Sequence, residues 1–144
     1  MLRRMRKLPF TIHQMFDFYT KEIRSIVELA VPVWHPGLTV KQTNDIERIQ
    51  KVAMKVILQD NYTTYQSACD MFMTQTLQLR REKLCLTFAR KNIKSGNSLF
   101  MRINTNSQTR SNQLVREYKC NTSRFQKTSL PYMAKLLNLN NKRK

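Results

Sequence analysis

Only two glycines, Gly37 and Gly96, occur in the 144 residues. A phosphate-cradling loop needs several glycines within a short span, so nucleotide binding of that kind has no home here. Acids are scarce too, with 9 Asp and Glu against 26 Lys and Arg. The aspartates Asp17, Asp45, Asp60 and Asp70 are dispersed rather than clustered. A two-metal phosphoryl-transfer centre requires gathered carboxylates, which excludes polymerase or nuclease chemistry within this stretch. The 3 cysteines, Cys69, Cys85 and Cys120, form no Cys-x-x-Cys pair, so neither a zinc site nor a disulfide framework is expected. The 2 histidines and these separated cysteines show no nucleophile–base arrangement. The longest uncharged run, from Leu29 to Val40, is broken by Pro32 and Pro36 and is too short for a bilayer. No apolar core follows the basic start, as a signal peptide would need. These absences predict a non-enzymatic, intracellular chain, nuclear or cytoplasmic, without cofactor, metal or small-molecule substrate. The Arg-rich opening MLRRMRKLPF leaves a mitochondrial presequence as a minor alternative.

What is present is positive charge. The formal net charge is +17 and the isoelectric point is near 10.4. Such an excess says little about fold but predicts attraction to polyanions, nucleic acid or acidic membrane. It is uneven: residues 1–89 carry 13 basic and 8 acidic side chains, residues 90–144 carry 13 and 1. The C-terminal third is thus the part expected to face a polyanion.

Apolar periodicity predicts an all-α fold, a thumb-like bundle of three to four helices over residues 1–96. A first helix is expected over Ile12–Val31, opened by a Thr11/Gln14 capping box and carrying one apolar face from Ile12 to Ala30. Pro32 should push Val31 out of the α region and end it. The corner from Pro32 to Gly37 reads as a rigid turn, with Gly37 free for positive φ. Trp34 is expected to wedge between the helices, and His35 to be a surface or corner residue. A second helix, Val40–Leu58, has its own box in Thr39/Gln42 and a stripe of Ile46, Ile49, Ala53, Val56 and Ile57. Asp45 and Glu47 are expected to pair locally with Arg48 and Lys51. A short helix over Thr64–Met73 and a third long one, Leu77–Ser95, follow, the latter capped by Thr76 and stopped by Gly96. Its core stripe is read as Leu77, Leu84, Cys85 and Phe88.

From Asn97 to Ser129 the pattern lapses, since 17 of these 33 residues are Ser, Thr, Asn or Gln. The expectation for residues 97–144 is an irregular basic tail, partly ordered around Phe100, Ile103 and Tyr118, closing with a short helix over Pro131–Leu139.

Cations select the candidate binding residues. Arg48, Lys51 and Lys55 fall on one face of the second helix. Arg80, Arg81, Lys83, Arg90, Lys91 and Lys94 make the third helix the best-defined basic surface, with Glu82 its only acid. Arg116, Lys119 and Arg124 extend the surface into the tail. These would grip a phosphate backbone without reading sequence, and the binding would weaken steeply with salt. Tyr62 and Tyr118 are the exposed candidates for stacking on unpaired bases.

Four stretches in order carry a resemblance: YTKEIRSIVELAVPVWHPGLT with NDIERIQKVAMKVIL, then NYTTYQSAC, then TLQLRREKLCLTFARK, and CNTSRFQKTSLPYMAKLLN. Together they resemble the region downstream of the polymerase core in non-LTR (LINE, CR1/jockey-like) retrotransposon reverse transcriptases, over nearly the whole chain. The resemblance implies thumb helices that hold RNA template and growing cDNA, followed by a basic C-terminal segment. It places Arg48 and Lys51 in the first thumb-like helix, and Arg80, Arg81, Glu82, Arg90 and Lys91 in the second. The Tyr-x-Asp-Asp motif of the catalytic palm does not occur. The expected partner is RNA or RNA–DNA hybrid. Two other classes stay open: a helical remnant that meets a protein partner through exposed apolar surface, and a basic amphipathic membrane binder.

Overall fold

Thr11 and Thr39 each accept a hydrogen bond from the backbone N–H of the glutamine three residues on, and Gln14 and Gln42 accept from the threonine N–H in return. Both capping boxes therefore start helices where the sequence places them. The computed structural model describes residues 1–97, 100 and 114–142, and every regular element among them is helical. They are α1 (Leu2–Met5), α2 (Ile12–Phe18), a π-helical stretch (Tyr19–Arg24), α3 (Ser25–Val27) and α4 (Val31–Trp34). A 3₁₀ turn (His35–Gly37) leads to α5 (Val40–Leu58), and a second (Gln59–Asn61) to α6 (Tyr65–Met71). Then come α7 (Leu77–Lys94), α8 (Ser123–Gln126) and α9 (Ser129–Lys142). The chain is all-α.

The expected first helix, Ile12–Val31, is interrupted. Tyr19–Arg24 wind as a π-helix, whose extra residue per turn rotates everything downstream. Ser25 Oγ donates to the carbonyls of Lys21 and Glu22 at the end of this stretch. Ile26, expected on the inner face, is consequently 74% exposed. The break itself falls at Ala30, which is left-handed at φ 51°. Val31 is not expelled from the helical region by Pro32. It opens α4 with Pro32 in the first turn, where a missing N–H costs nothing. Gly37 lies in the 3₁₀ turn and is not among the positive-φ residues, so the freedom expected of it is unused.

Contacts divide the chain into two compact units: Met1–Leu29 with Thr39–Arg80, and Ala30–Leu38 with Arg81–Lys144. The division lies elsewhere than the composition shift at residue 96.

In the first unit, Leu2, Met15, Tyr19, Ala53 and Ile57 form one buried cluster, and Met54, Leu58, Ala68 and Cys69 a second. Phe16 touches both and stacks on Phe72 with ring centroids 4.1 Å apart. The stripe of α5 is rotated from the expected one. Gln50, Ala53, Met54, Ile57 and Leu58 are buried, while Ile49 is exposed. Gln50 is buried because it is fully bonded. Tyr19 Oη donates to its Oε1 (3.0 Å), and its Nε2 donates to Tyr65 Oη (3.0 Å) and to the Gln75 carbonyl (3.0 Å). Tyr65 in turn donates to Glu47 Oε1. Glu47 does not pair with neighbouring cations on α5. Its carboxylate instead accepts the backbone N–H groups of Leu77 and Gln78, each at 3.0 Å, capping α7 together with Thr76. A carboxylate at a helix N-terminus meets both free donors and the positive end of the dipole.

In the second unit, Val31, Cys85, Ala89, Ile93, Phe100, Val115, Met133, Ala134 and Leu137 make the core. Phe100 and Val115 thus pack tightly, and Tyr118 lies against them. Trp34 packs partly buried on this core, rather than between the first two helices as expected. Asn138 is buried and holds the segment at 114–117: its Oδ1 accepts from Leu114 and Val115 N–H, and its Nδ2 donates to the Val115 carbonyl and to Glu117 Oε1. The final helix runs two residues earlier and three later than expected. Gly96, at φ 70°, ends α7: its N–H reaches the Ile93 carbonyl and that of Asn97 reaches Asn92, a Schellman closure. The expected order around Ile103, and the cations Arg102 and Arg110, lie outside the described residues.

Candidate nucleic-acid interface

In the first unit, Arg48, Lys51 and Lys55 are all exposed along α5. Their spacing of three and four residues puts them on one helical face, about 4.5 and 6 Å apart along the axis. Two of them also cover rings. Lys51 Nζ lies 5.2 Å from the Tyr65 centroid and Lys55 Nζ 5.4 Å from that of Tyr62. Tyr62, expected as a stacking platform, therefore already has a cation over its ring.

Sequence reasoning missed three cations here. The first helix packs on α5, which brings Arg3, Arg6 and Lys7 around one cleft with Lys55. A run of basic residues at a chain start reads as a solvated arm. It docks because Leu2 is buried in the Ala53/Ile57 cluster, and nothing in the sequence sets Leu2 apart from Met1, Met5 and Leu8 beside it.

Arg80 is not a free cation. It forms a two-pronged pair with Glu28, donating from Nε and from Nη2 (2.8 Å to Oε2). Arg24 Nε lies 3.7 Å from the same carboxylate, and its Nη1 donates to Thr74 Oγ1 (3.2 Å). Burial and the charge of Arg80 push the Arg24 guanidinium below its usual range, whereas the bond to Glu28 pushes Arg80 up. This is a structural clamp at the end of the π-helical stretch.

In the second unit, Arg81 is 0% exposed. It falls on the i, i+4 line of Cys85, Ala89 and Ile93, so its guanidinium is enclosed and not presented to a phosphate. The true inner stripe of α7 differs from the expected one for this reason. Counting Arg81 as outward turned the reading toward Leu84 and Phe88, and Phe88 is exposed. Lys83, Arg90, Lys91 and Lys94 are exposed. Three of them share a face at spacings of seven and four residues, about 10 and 6 Å along the axis. Arg116, Lys119 and Arg124 are exposed as well. None of these seven forms an ion pair among the described residues.

Reactive groups are muted. Burial raises the Cys69 thiol and pushes Cys85 up to about 11. A protonated buried thiol is a poor nucleophile. Tyr19 and Tyr65 are also raised, by burial first and, for Tyr65, by its bond to Glu47. His35 is a half-buried corner residue, within the expected surface-or-corner placement. Its ring meets Tyr132 edge-on at 5.6 Å, its Nε2 lies 3.4 Å from Tyr132 Oη, and burial and then Arg81 push it down to about 4. Among the described residues, no three of His, Cys, Asp and Glu come together as metal ligands. No helix among them is long and apolar enough to cross a membrane. In comparisons with known proteins, no family model, no curated protein and no solved structure matches the chain.

Proposed function

We propose that this chain binds the phosphate backbone of RNA or RNA–DNA hybrid without catalysis, as the thumb and downstream region of a non-LTR reverse transcriptase. The observation that carries the reading is the ordered run of four resembling stretches over nearly the whole chain. Exposed Arg48, Lys51 and Lys55 on one helix, and Lys83, Arg90, Lys91 and Lys94 on another, support it electrostatically. Arg80 and Arg81 drop out of the contact set, one held in a two-pronged pair with Glu28 and one enclosed. The test is fluorescence anisotropy with labelled single-stranded RNA, RNA–DNA hybrid and DNA duplex. Affinity should fall with a log–log salt slope of about −0.9 per phosphate contacted on a duplex, with little dependence on sequence. Replacing Lys83, Arg90, Lys91 and Lys94 by Ala should make that slope shallower by about three to four. No binding at ~50 mM salt overturns the reading.

A second reading, a protein-interaction module, has its own observation. Ile26 and Leu29 are 74% and 73% exposed one turn apart. Adjacent large apolar groups at a surface mark partner sites. Substituting both by Ser should leave RNA binding unchanged and abolish self-association or partner capture if this reading holds.

A further inference from the structure

Two adjoining clefts open along α5 in the first unit. One, of about 500 Å³, has an aliphatic floor of Ile23, Ile49, Val52 and Val56, and its charged lining is Arg3, Arg48 and Asp45. The other, of about 650 Å³, shares Arg3, Val52 and Val56 with the first and adds Arg6, Lys7 and Lys55. The shared residues make the two a single groove that changes character along its length. Both volumes fall within the range of small-molecule sites, which are apolar with a few charged groups that fix orientation.

The chemistry of each half specifies its complement. The floor of the first presents neither an aromatic face nor a neutral hydrogen-bonding side chain, so it suits an alkyl chain better than a base. Ile49 and Val52, one helical turn apart, are 40% and 42% exposed on it. The stretch of α5 from Asp45 to Val56 spans about 16 Å, which accommodates a medium-length chain. The second cleft gathers four cations and no acid, which matches a dianionic head better than a single carboxylate. We infer that this groove binds a soluble single-chain alkyl phosphate, with the chain over Val52 and the phosphate among Arg3, Arg6, Lys7 and Lys55. The groove shares Arg48 and Lys55 with the proposed nucleic-acid face, so the two ligands would compete there.

The experiment titrates the full chain with dodecyl phosphate below its micelle threshold, followed by methyl NMR and calorimetry. The expected result is saturable one-to-one binding with shifts at the Ile49, Val52 and Val56 methyls. Decyl phosphate should bind roughly ten-fold more weakly, as two fewer methylenes are buried. Val52→Asp should weaken binding at least ten-fold, and the pair Arg6→Glu, Lys7→Glu should do so independently. Because Val52 is surface-facing, its variant should keep the wild-type circular dichroism, and the charge pair decides if it does not. Any of four outcomes overturns the inference. Inorganic phosphate binds as tightly as the alkyl ester. Dodecyl trimethylammonium binds equally well. Chain length has no effect. Or the chain binds phosphatidylglycerol vesicles but not the monomeric ester, which marks a membrane surface instead of a cleft.

Discussion

Replacing Gln50 by Leu isolates the polar hub of the first unit, because the volumes are similar and little cavity is created. Gln50 is fully enclosed. The change removes the acceptor for the Tyr19 hydroxyl and the donors to Tyr65 Oη and to the Gln75 carbonyl, each bond being 3.0 Å. Tyr65 retains Glu47 as partner, but the Tyr19 hydroxyl is left in a site with no exposure and the Gln75 carbonyl loses this donor. A buried polar group left unpaired costs about 1–3 kcal/mol, so the variant should lose about 3 kcal/mol. With a urea dependence of about 1.5 kcal/mol per molar, the far-UV transition should move down by roughly 2 M. Tyr19→Phe alone should cost about 1–2 kcal/mol, because it leaves Gln50 Oε1 without its donor. The double variant removes both ends of that bond, so it should be less destabilised than the sum by about 1 kcal/mol or more. A loss under about 0.5 kcal/mol for Gln50→Leu, or strict additivity in the double variant, would refute the hub assignment.

Glu28→Gln should lower the thermal midpoint and cost about 2–3 kcal/mol, because it leaves Arg24 and Arg80 facing each other without their shared counter-ion. A melt unchanged from wild type would show that the clamp is not stabilising. Gly96→Ala should cost about 1 kcal/mol at φ 70°, whereas Gly37→Ala, with open space around it and no positive φ, should be neutral or slightly stabilising. Equal effects at the two positions would contradict the assigned helix end. His35 is held neutral in the fold down to about pH 4, against an ordinary value of 6.5. The unfolded chain takes the proton first, so the stability contributed by the neutral ring is complete above pH 6.5 and declines as pH falls toward 4, by about 2–3 kcal/mol. Urea midpoints for wild type and His35→Gln should converge over that window, and parallel curves would exclude His35 as their source.

Helix starts were legible because they are local. Thr11/Gln14 and Thr39/Gln42 satisfy their own backbone donors within one turn. The stop at Gly96 was legible for the same reason. Faces were harder, since the rule that polar residues face outward fails where a polar residue is enclosed. Gln50 and Arg81 both violate it, and each one turned the stripe of its helix away from the predicted phase. The π-helical stretch was invisible, because YTKEIR has ordinary helical composition and the extra residue per turn leaves no compositional trace. Of the candidate site, the exposed cations of α5 and α7 follow from periodicity alone. The loss of Arg80 to Glu28, 52 positions away, and the recruitment of Arg3, Arg6 and Lys7 to Lys55 are long-range pairings that no sequence window contains.

The cap that Glu47 places on α7 has a consequence for the order in which the chain can fold. Leu77 lies 30 residues from the carboxylate that accepts its N–H, so this helix does not have all its initiating signals within itself. Its first turn gains the Glu47 bonds only after α5 has formed and the intervening loop has closed, a step whose entropy must be lost before the contact rewards it. Nucleation of α7 is thereby tied to docking in the first unit. A mutation at Glu47 should slow folding of a helix in which it does not reside, and should do so without altering any residue of that helix.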